Sequence, residues 1–249
     1  MRDAPLQALQ AAARAAPADS SVRPRLVIAG ATGVLGNEVL RRLVGLQHYG
    51  PTQVLAREPI TAGLRGVGTT VVPTEDPAEW PPGAAETAVV LFDPPRLFYD
   101  RERALWTPQP AQLPELAAWM RRCGVRTLAV VLPHAQGRLP EALKRGLASL
   151  DEQAVAALGF ERLLLLRSAQ KPQDEVPSSW PRRVARFMLS AFAYMVPNSE
   201  QPVRAAKVVE LLAAALELAP PGIHVAAPEL VWRAGQGNAR EVAAQWLGR

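Results

Sequence analysis

The sequence predicts an α/β fold, a doubly wound parallel sheet with helices on both faces and a small C-terminal cap. Three observations predict it. Short aliphatic runs alternate with stretches of helical period along most of the chain. The first aliphatic run meets three glycines and then turns into a helix, a junction that parallel sheets use at their ligand-binding edge. The 249 residues, 49% hydrophobic and 20% charged, suffice for one large core of ordinary composition.

Met1 to Arg23 is alanine-rich and bounded by Pro5, Pro17 and Pro24, so residues 1–24 read as a mobile N-terminal extension. Within it Leu6 to Ala16 has helical composition but lacks the long apolar core of a secretion signal; a partner-binding helix or a removed targeting peptide are the alternatives. Residues 25–249 then form one domain, with the cap drawn from about residue 170 onward. Arg25 to Ala29 is an aliphatic run without turn residues, as expected of a strand buried on both faces. From Val34 the apolar positions Val34, Leu35, Val39, Leu40, Leu43 and Val44 fall at helical spacing, with Asn37, Glu38, Arg41 and Arg42 between them.

Thr52 to Ala56, Thr69 to Pro73 and Thr87 to Phe92 read as the second, third and fourth strands. Gln112 to Cys123 reads as a helix, Val125 to Leu132 as a fifth strand, Glu141 to Leu158 as a helix and Arg162 to Leu166 as a sixth strand. The cap is read from helices near Pro181 to Tyr194 and Pro202 to Leu218 and a strand at Ile223 to Ala226. The helix from Trp180 to Phe192 is basic at its start and aromatic later. It suits a cap that buries Phe187, Leu189 or Phe192, with a membrane surface or an acidic partner as the alternative.

The segment Gly30-Ala31-Thr32-Gly33-Val34-Leu35-Gly36 has the spacing of a phosphate turn. Gly30 lets the chain leave the strand in a tight turn, Gly33 lets a pyrophosphate approach the backbone, and Gly36 lets the helix pack closely. The helix N-terminus then offers free N–H groups and partial positive charge to a phosphate. At the end of the second strand an acid suits the ribose of NAD, whereas a basic residue suits the extra phosphate of NADP. Arg57 stands there, beside Glu58, so NADP is expected ahead of NAD.

The net charge of +5 comes almost wholly from arginine, since the lysines are Lys144, Lys171 and Lys207. These arginines are scattered and not interleaved with aromatics, so a solvated surface is expected and nucleic acid is not. No apolar run approaches the ~20 residues of a membrane span. The single Cys123, at a helix end, excludes a disulfide within the chain and suits a reducing cytoplasm. His48 and His224 cluster with neither acids nor cysteine, and no metal site is expected.

The glycine turn, the run Leu158-Gly159-Phe160-Glu161-Arg162-Leu163-Leu164-Leu165-Leu166-Arg167, and the helix Val203 to Leu218 followed by Gly222-Ile223-His224-Val225 together resemble the short-chain dehydrogenase/reductase superfamily. The likeness is to its extended or atypical branch, covers roughly residues 25 to 234, and is strongest to NmrA-like and Tat-interacting-protein-like oxidoreductases. It implies a Rossmann fold and a nicotinamide dinucleotide cofactor. It also implies that the end of the fourth strand, at Phe92, Asp93 and Pro94, borders that cofactor.

Members of that superfamily that transfer hydride usually carry a tyrosine four residues before a lysine, which lowers the phenol's pKa for proton exchange. Here Tyr49 precedes Gln53, Tyr99 precedes Arg103 and Tyr194 precedes Asn198 at that interval. Alignment through Asp151-Glu152-Gln153 puts Lys144 in the tyrosine's place and Ala148 in the lysine's, and Val130-Val131-Leu132-Pro133-His134 lacks the usual strand-end serine. His134, Lys144 and Tyr99 remain as candidate proton donors. The expectation is a cytoplasmic NAD(P)-binding protein without standard Tyr/Lys/Ser catalysis, acting as a nicotinamide-responsive sensor or scaffold with a possible protein partner. The alternatives are an NADP-dependent oxidoreductase, epimerase or dehydratase with a non-standard site, and an interaction protein without nucleotide.

Overall fold

The computed structural model describes residues 23–60, 66–96, 99–133, 146–167 and 204–249. Seven strands form its sheet: β1 (Leu26–Ala29), β2 (Thr52–Ala56), β3 (Val67–Val71), β4 (Thr87–Val90), β5 (Thr127–Leu132), β6 (Arg162–Arg167) and β7 (Gly222–Ala226). Their spatial order is β3-β2-β1-β4-β5-β6-β7 and every neighbouring pair is parallel. This is the Rossmann arrangement. The order reverses between β1 and β4, where the carboxyl ends of the strands open a crevice.

Alternation along each strand divides the core into two layers. Leu26, Ile28, Val54, Val89, Ala129 and Leu164 face the helices α1 (Gly33–Gly45) and α5 (Ala205–Leu218). Val27, Leu55, Val90, Leu128 and Leu165 face α3 (Leu113–Arg122) and α4 (Leu150–Ala157). The short α2 (Asp100–Ala104) lies between β4 and α3 in sequence, and α6 (Pro228–Gln236) and α7 (Ala239–Leu247) close the chain. Each fully buried leucine of these layers contributes about 1.5–3 kcal/mol by leaving water.

The helices start and stop for local reasons. Ser149 accepts the Glu152 N–H and begins α4. Asn238 accepts the N–H groups of Arg240 and Glu241 to begin α7, and Gly248 ends it in the left-handed conformation. The expected helix from Glu141 to Leu158 is therefore shorter in its described part, because the Ser149 cap fixes its start and residues 146–148 are not helical.

The described parts of two segments read toward the C-terminus, the helix to Leu218 and the strand at Ile223, lie in the layers of the main sheet. β7 pairs with β6 along its whole length, and α5 lies against α1 and over the sheet, with eight buried residues from Val208 to Leu216. The physical reason is that α5 is apolar nearly all round, which suits a helix enclosed between sheet, α1 and α7. The expected helix near Pro181 to Tyr194 lies outside the described residues. No helix among the described residues is long and apolar enough to cross a membrane.

Candidate functional site

The crevice is built on the turn between β1 and α1. Gly30 and Gly33 have φ of +76° and +68°, the left-handed region that glycine occupies without strain. A Cβ on Gly30 would fall inside the Leu91 carbonyl oxygen and lie 2.8 Å from its carbon, so β1 and the extension of β4 meet there backbone to backbone. A Cβ on Gly33 would lie 2.7 Å from the Cβ of Asp93 and 3.1 Å from the Pro94 oxygen. At Gly36 it would meet the backbone of Gly30 and Ala31, which keeps the first turn of α1 against the glycine turn itself. Ala31 is buried, Leu35 is partly buried, and Val34 points outward, 63% exposed.

The first turn of α1 contains no acid, and Thr32 at its start makes no side-chain cap. Thr32 is fully buried and spends its hydroxyl elsewhere, donating to the Asp93 carbonyl and meeting the Thr107 hydroxyl at 3.1 Å. Two amides at the start of α1 are instead satisfied by carboxylates from distant parts of the chain. Gly33 N–H donates to Glu102 Oε2 at 3.0 Å, and Leu35 N–H donates to Asp93 Oδ2 at 3.2 Å. Negative charge at a helix N-terminus is favourable, so both contacts are electrostatically matched.

Glu102, on α2, is 4% exposed and is the centre of this cluster. Its Oε1 accepts from Asn37 Nδ2 at 2.7 Å and from Arg96 Nε at 2.7 Å, with a further Arg96 N–H close by. Its Oε2 accepts the Arg96 backbone N–H at 2.9 Å. Burial alone would raise its carboxyl pKa, but the hydrogen bonds from Arg96, Gly33 and Asn37 outweigh it and hold the group below the usual carboxylate range. Burial pushes the Asp93 carboxyl the other way, up, against the opposing Leu35 N–H.

Residues 104–107 cross the carboxyl ends of β2 and β1 as a strap. Arg57 N–H donates to the Ala104 carbonyl at 2.7 Å, Trp106 N–H to Leu55 at 2.9 Å, and Gly30 N–H to Trp106 at 3.2 Å. Trp106 is fully buried and meets Trp80 edge to face at 4.8 Å, which anchors the strap. Arg57, the expected partner of a 2′-phosphate, donates to Glu75 through Nε at 2.6 Å and to the Leu105 carbonyl at 3.3 Å. Glu75 also accepts from Trp106 Nε1 at 2.9 Å, and the Arg57 hydrogen bond chiefly lowers its pKa.

The structure thus brings together residues 30–36 with Asp93 and Pro94, and reaches Arg57 through the strap; Phe92 continues from β4 beside them, partly buried. Between α1, α2 and β2 it leaves a cavity of about 60 Å³ lined by Asn37, Val54, Glu102 and Leu105. Small-molecule sites span roughly 300–1,000 Å³. A larger cavity of about 240 Å³ lies at the opposite end of the strands, lined by His48, Tyr49, Thr87, Thr127, Arg162 and Glu217. Burial pushes the Tyr49 phenol there up to about 12, far from the glycine turn.

Of the candidate proton donors, His134 and Lys144 lie outside the described residues. Tyr99 precedes α2, is 51% exposed, and carries the Arg96 guanidinium over its ring at 3.8 Å. Arg103, four residues on, pairs with Asp100. Among the described residues, no group of three or more histidine, cysteine, aspartate or glutamate side chains could hold a metal ion.

Sequence pattern alone missed Glu102, Asn37, Arg96 and Glu75. Asn37 sits one helical turn after Gly33, the one positional hint. Glu102 is flanked by Arg101 and Arg103 and reads as part of a solvated helix.

No family model matches the chain, and no curated protein matches it in sequence. Solved structures are similar to it in fold alone. A Rossmann-fold NAD(P)-binding family protein from Shigella flexneri is 14% identical, covering 72% of this chain and 91% of its own, with a TM-score of 0.40. The Bordetella bronchiseptica enzyme WbmF, in complex with NADH, is 13% identical over 91% of this chain and 87% of its own, with a TM-score of 0.49. The UDP-N-acetylglucosamine 4-epimerase from Bacillus cereus is 13% identical over 82% and 79%, with a TM-score of 0.41. At such identities the likeness concerns the path of the chain.

Proposed function

We propose that this chain is a nicotinamide-dinucleotide-binding protein of the atypical short-chain dehydrogenase/reductase type, working as a nicotinamide-responsive sensor or scaffold. The observation that carries this reading is the anion-binding behaviour of the glycine turn, whose Gly33 and Leu35 amides each hold a carboxylate oxygen. The turn stands at the point where the strand order reverses, the place where a dinucleotide's pyrophosphate meets a helix N-terminus. The sensor role is favoured because none of Tyr49, Tyr99 and Tyr194 has a lysine four residues later to lower its phenol pKa. Arg57 supports NADP as the preferred form, once free of Glu75.

The reading without nucleotide is favoured by one observation, that the Gly33 and Leu35 amides of the turn are already satisfied from within the chain. Titration separates the two. NADPH or NADH is expected to raise the melting temperature and to change tryptophan fluorescence with saturation. No response to either at millimolar concentration refutes dinucleotide binding. If NADPH binds, its consumption with a panel of carbonyl substrates, lost in Tyr99→Phe or His134→Ala, would replace the sensor by an enzyme.

A further inference from the structure

We infer that Glu102 is a built-in stand-in for the pyrophosphate, and that Arg96 and Asn37 are the ligand's own binding residues, held by Glu102 until exchange. This rests on reading the turn as a dinucleotide site and adds how that site is controlled. A carboxylate on Gly33 N–H occupies the place where the helix N-terminus would receive phosphate. The groups around it form a complete anion receptor: a backbone amide, the Asn37 side-chain amide and a guanidinium engaged by both its Nε and a terminal nitrogen. That donor set suits a phosphate at least as well as a carboxylate, since both accept the planar fork of an arginine.

The attachment of Glu102 suits exchange. It projects from the five-residue α2, whose Asp100 and Arg103 side chains are exposed, while the following strap is fixed by the buried Trp106. Exchange therefore requires α2 to swing out while the strap stays in place. Freed of Glu102, Arg96 and Asn37 turn to the pyrophosphate, and Glu102 enters water beside Arg101 and Arg103. Dinucleotide binding is then coupled to release of residues 99–103, a conformational signal that a sensor needs.

The test compares NADPH and NADH binding by calorimetry to the wild type and to Glu102→Gln, with hydrogen exchange of the wild type in the presence and absence of NADPH. Removing the internal charge is expected to tighten binding about ten- to a hundredfold, because the competition-free site no longer loses affinity to a closed state. In the wild type, NADPH is expected to deprotect residues 99–103 while Trp106 stays protected. Equal affinity of the two proteins, or NADPH binding with 99–103 as protected as before, overturns this inference and leaves the turn as a dinucleotide site. No binding by either protein overturns both. Should Glu102→Gln fail to fold, Glu102→Asp withdraws the carboxylate by one methylene and gives the same comparison.

Discussion

Replacing Gly30 by alanine tests the contact on which the crevice is built. Two costs add at this position. The left-handed φ of +76° costs a residue with a Cβ about 1–2 kcal/mol. The new methyl would also overlap the Leu91 carbonyl, a backbone group of the β4 extension that cannot rotate away, and relief of such overpacking costs about 3 kcal/mol. The expected loss is about 4–5 kcal/mol, or roughly 8–20 °C in Tm for a chain of this length. Gly159→Ala is the matched control, because Gly159 has φ of +70° with nothing within 4 Å of its Cβ position. It carries the backbone strain alone, about 1–2 kcal/mol. Urea unfolding of both variants, followed by tryptophan fluorescence, reads the difference. If Gly30→Ala costs no more than Gly159→Ala, the backbone-to-backbone approach of β1 and β4 is wrong.

Three further outcomes are expected. Because the Glu102 pKa is lowered in the folded state, its contribution is present above the ordinary glutamate value of about 4.3 and is lost as pH falls through the lower folded value. Wild-type stability should thus fall more steeply on acidification than that of Glu102→Gln, and parallel pH profiles would refute the linkage; Asp93, raised in the folded state, acts with the opposite sign in both proteins. Glu75→Gln removes the charge that holds Arg57, whose Nε and terminal nitrogen bond Glu75 at 2.6 and 3.2 Å, and leaves one acceptor oxygen in place of two. It should shift the ratio of NADPH to NADH affinity about two- to fivefold toward NADPH, as a partly exposed ion pair permits; an unchanged ratio in paired titrations counts against Arg57 as the 2′-phosphate ligand. Cys123 is buried, accepts the Gly83 N–H at 3.1 Å and has its thiol pKa pushed up chiefly by burial. As the chain's single thiol, it should react with a colorimetric disulfide reagent only at the rate of unfolding, and immediate labelling of the folded protein would contradict its burial.

The strand, turn and helix from Leu26 to Gly45 were legible because everything that shapes them is local: aliphatic run, glycine spacing and helical period. The closing elements were not. The apolar helix 205–218 reads alike whether it covers a sheet or caps a cleft, and its place is set by pairing of β7 with β6 across an interval of about sixty residues. The site divides in the same way. Asp93 was implied by the family resemblance and meets the turn at Leu35, whereas Glu102 owes its contacts to Gly33 and Asn37, 69 and 65 residues away. A buried glutamate between two arginines leaves no periodic trace, since burial here follows from electrostatic partners and not from apolar spacing.

The strand order also bears on how the chain is made. β1 lies between β2 and β4 and has an entirely buried sequence. During synthesis β2 emerges soon after it, but β4 begins only at Thr87, so the other edge of β1 stays unpaired while some sixty residues are added. At about 5–20 residues per second that interval lasts several seconds, with an aliphatic edge open to other chains. The centre of the sheet is therefore completed late, and a ribosome-bound nascent chain ending before Thr87 lacks the β4, β5 and β6 residues that complete both core layers.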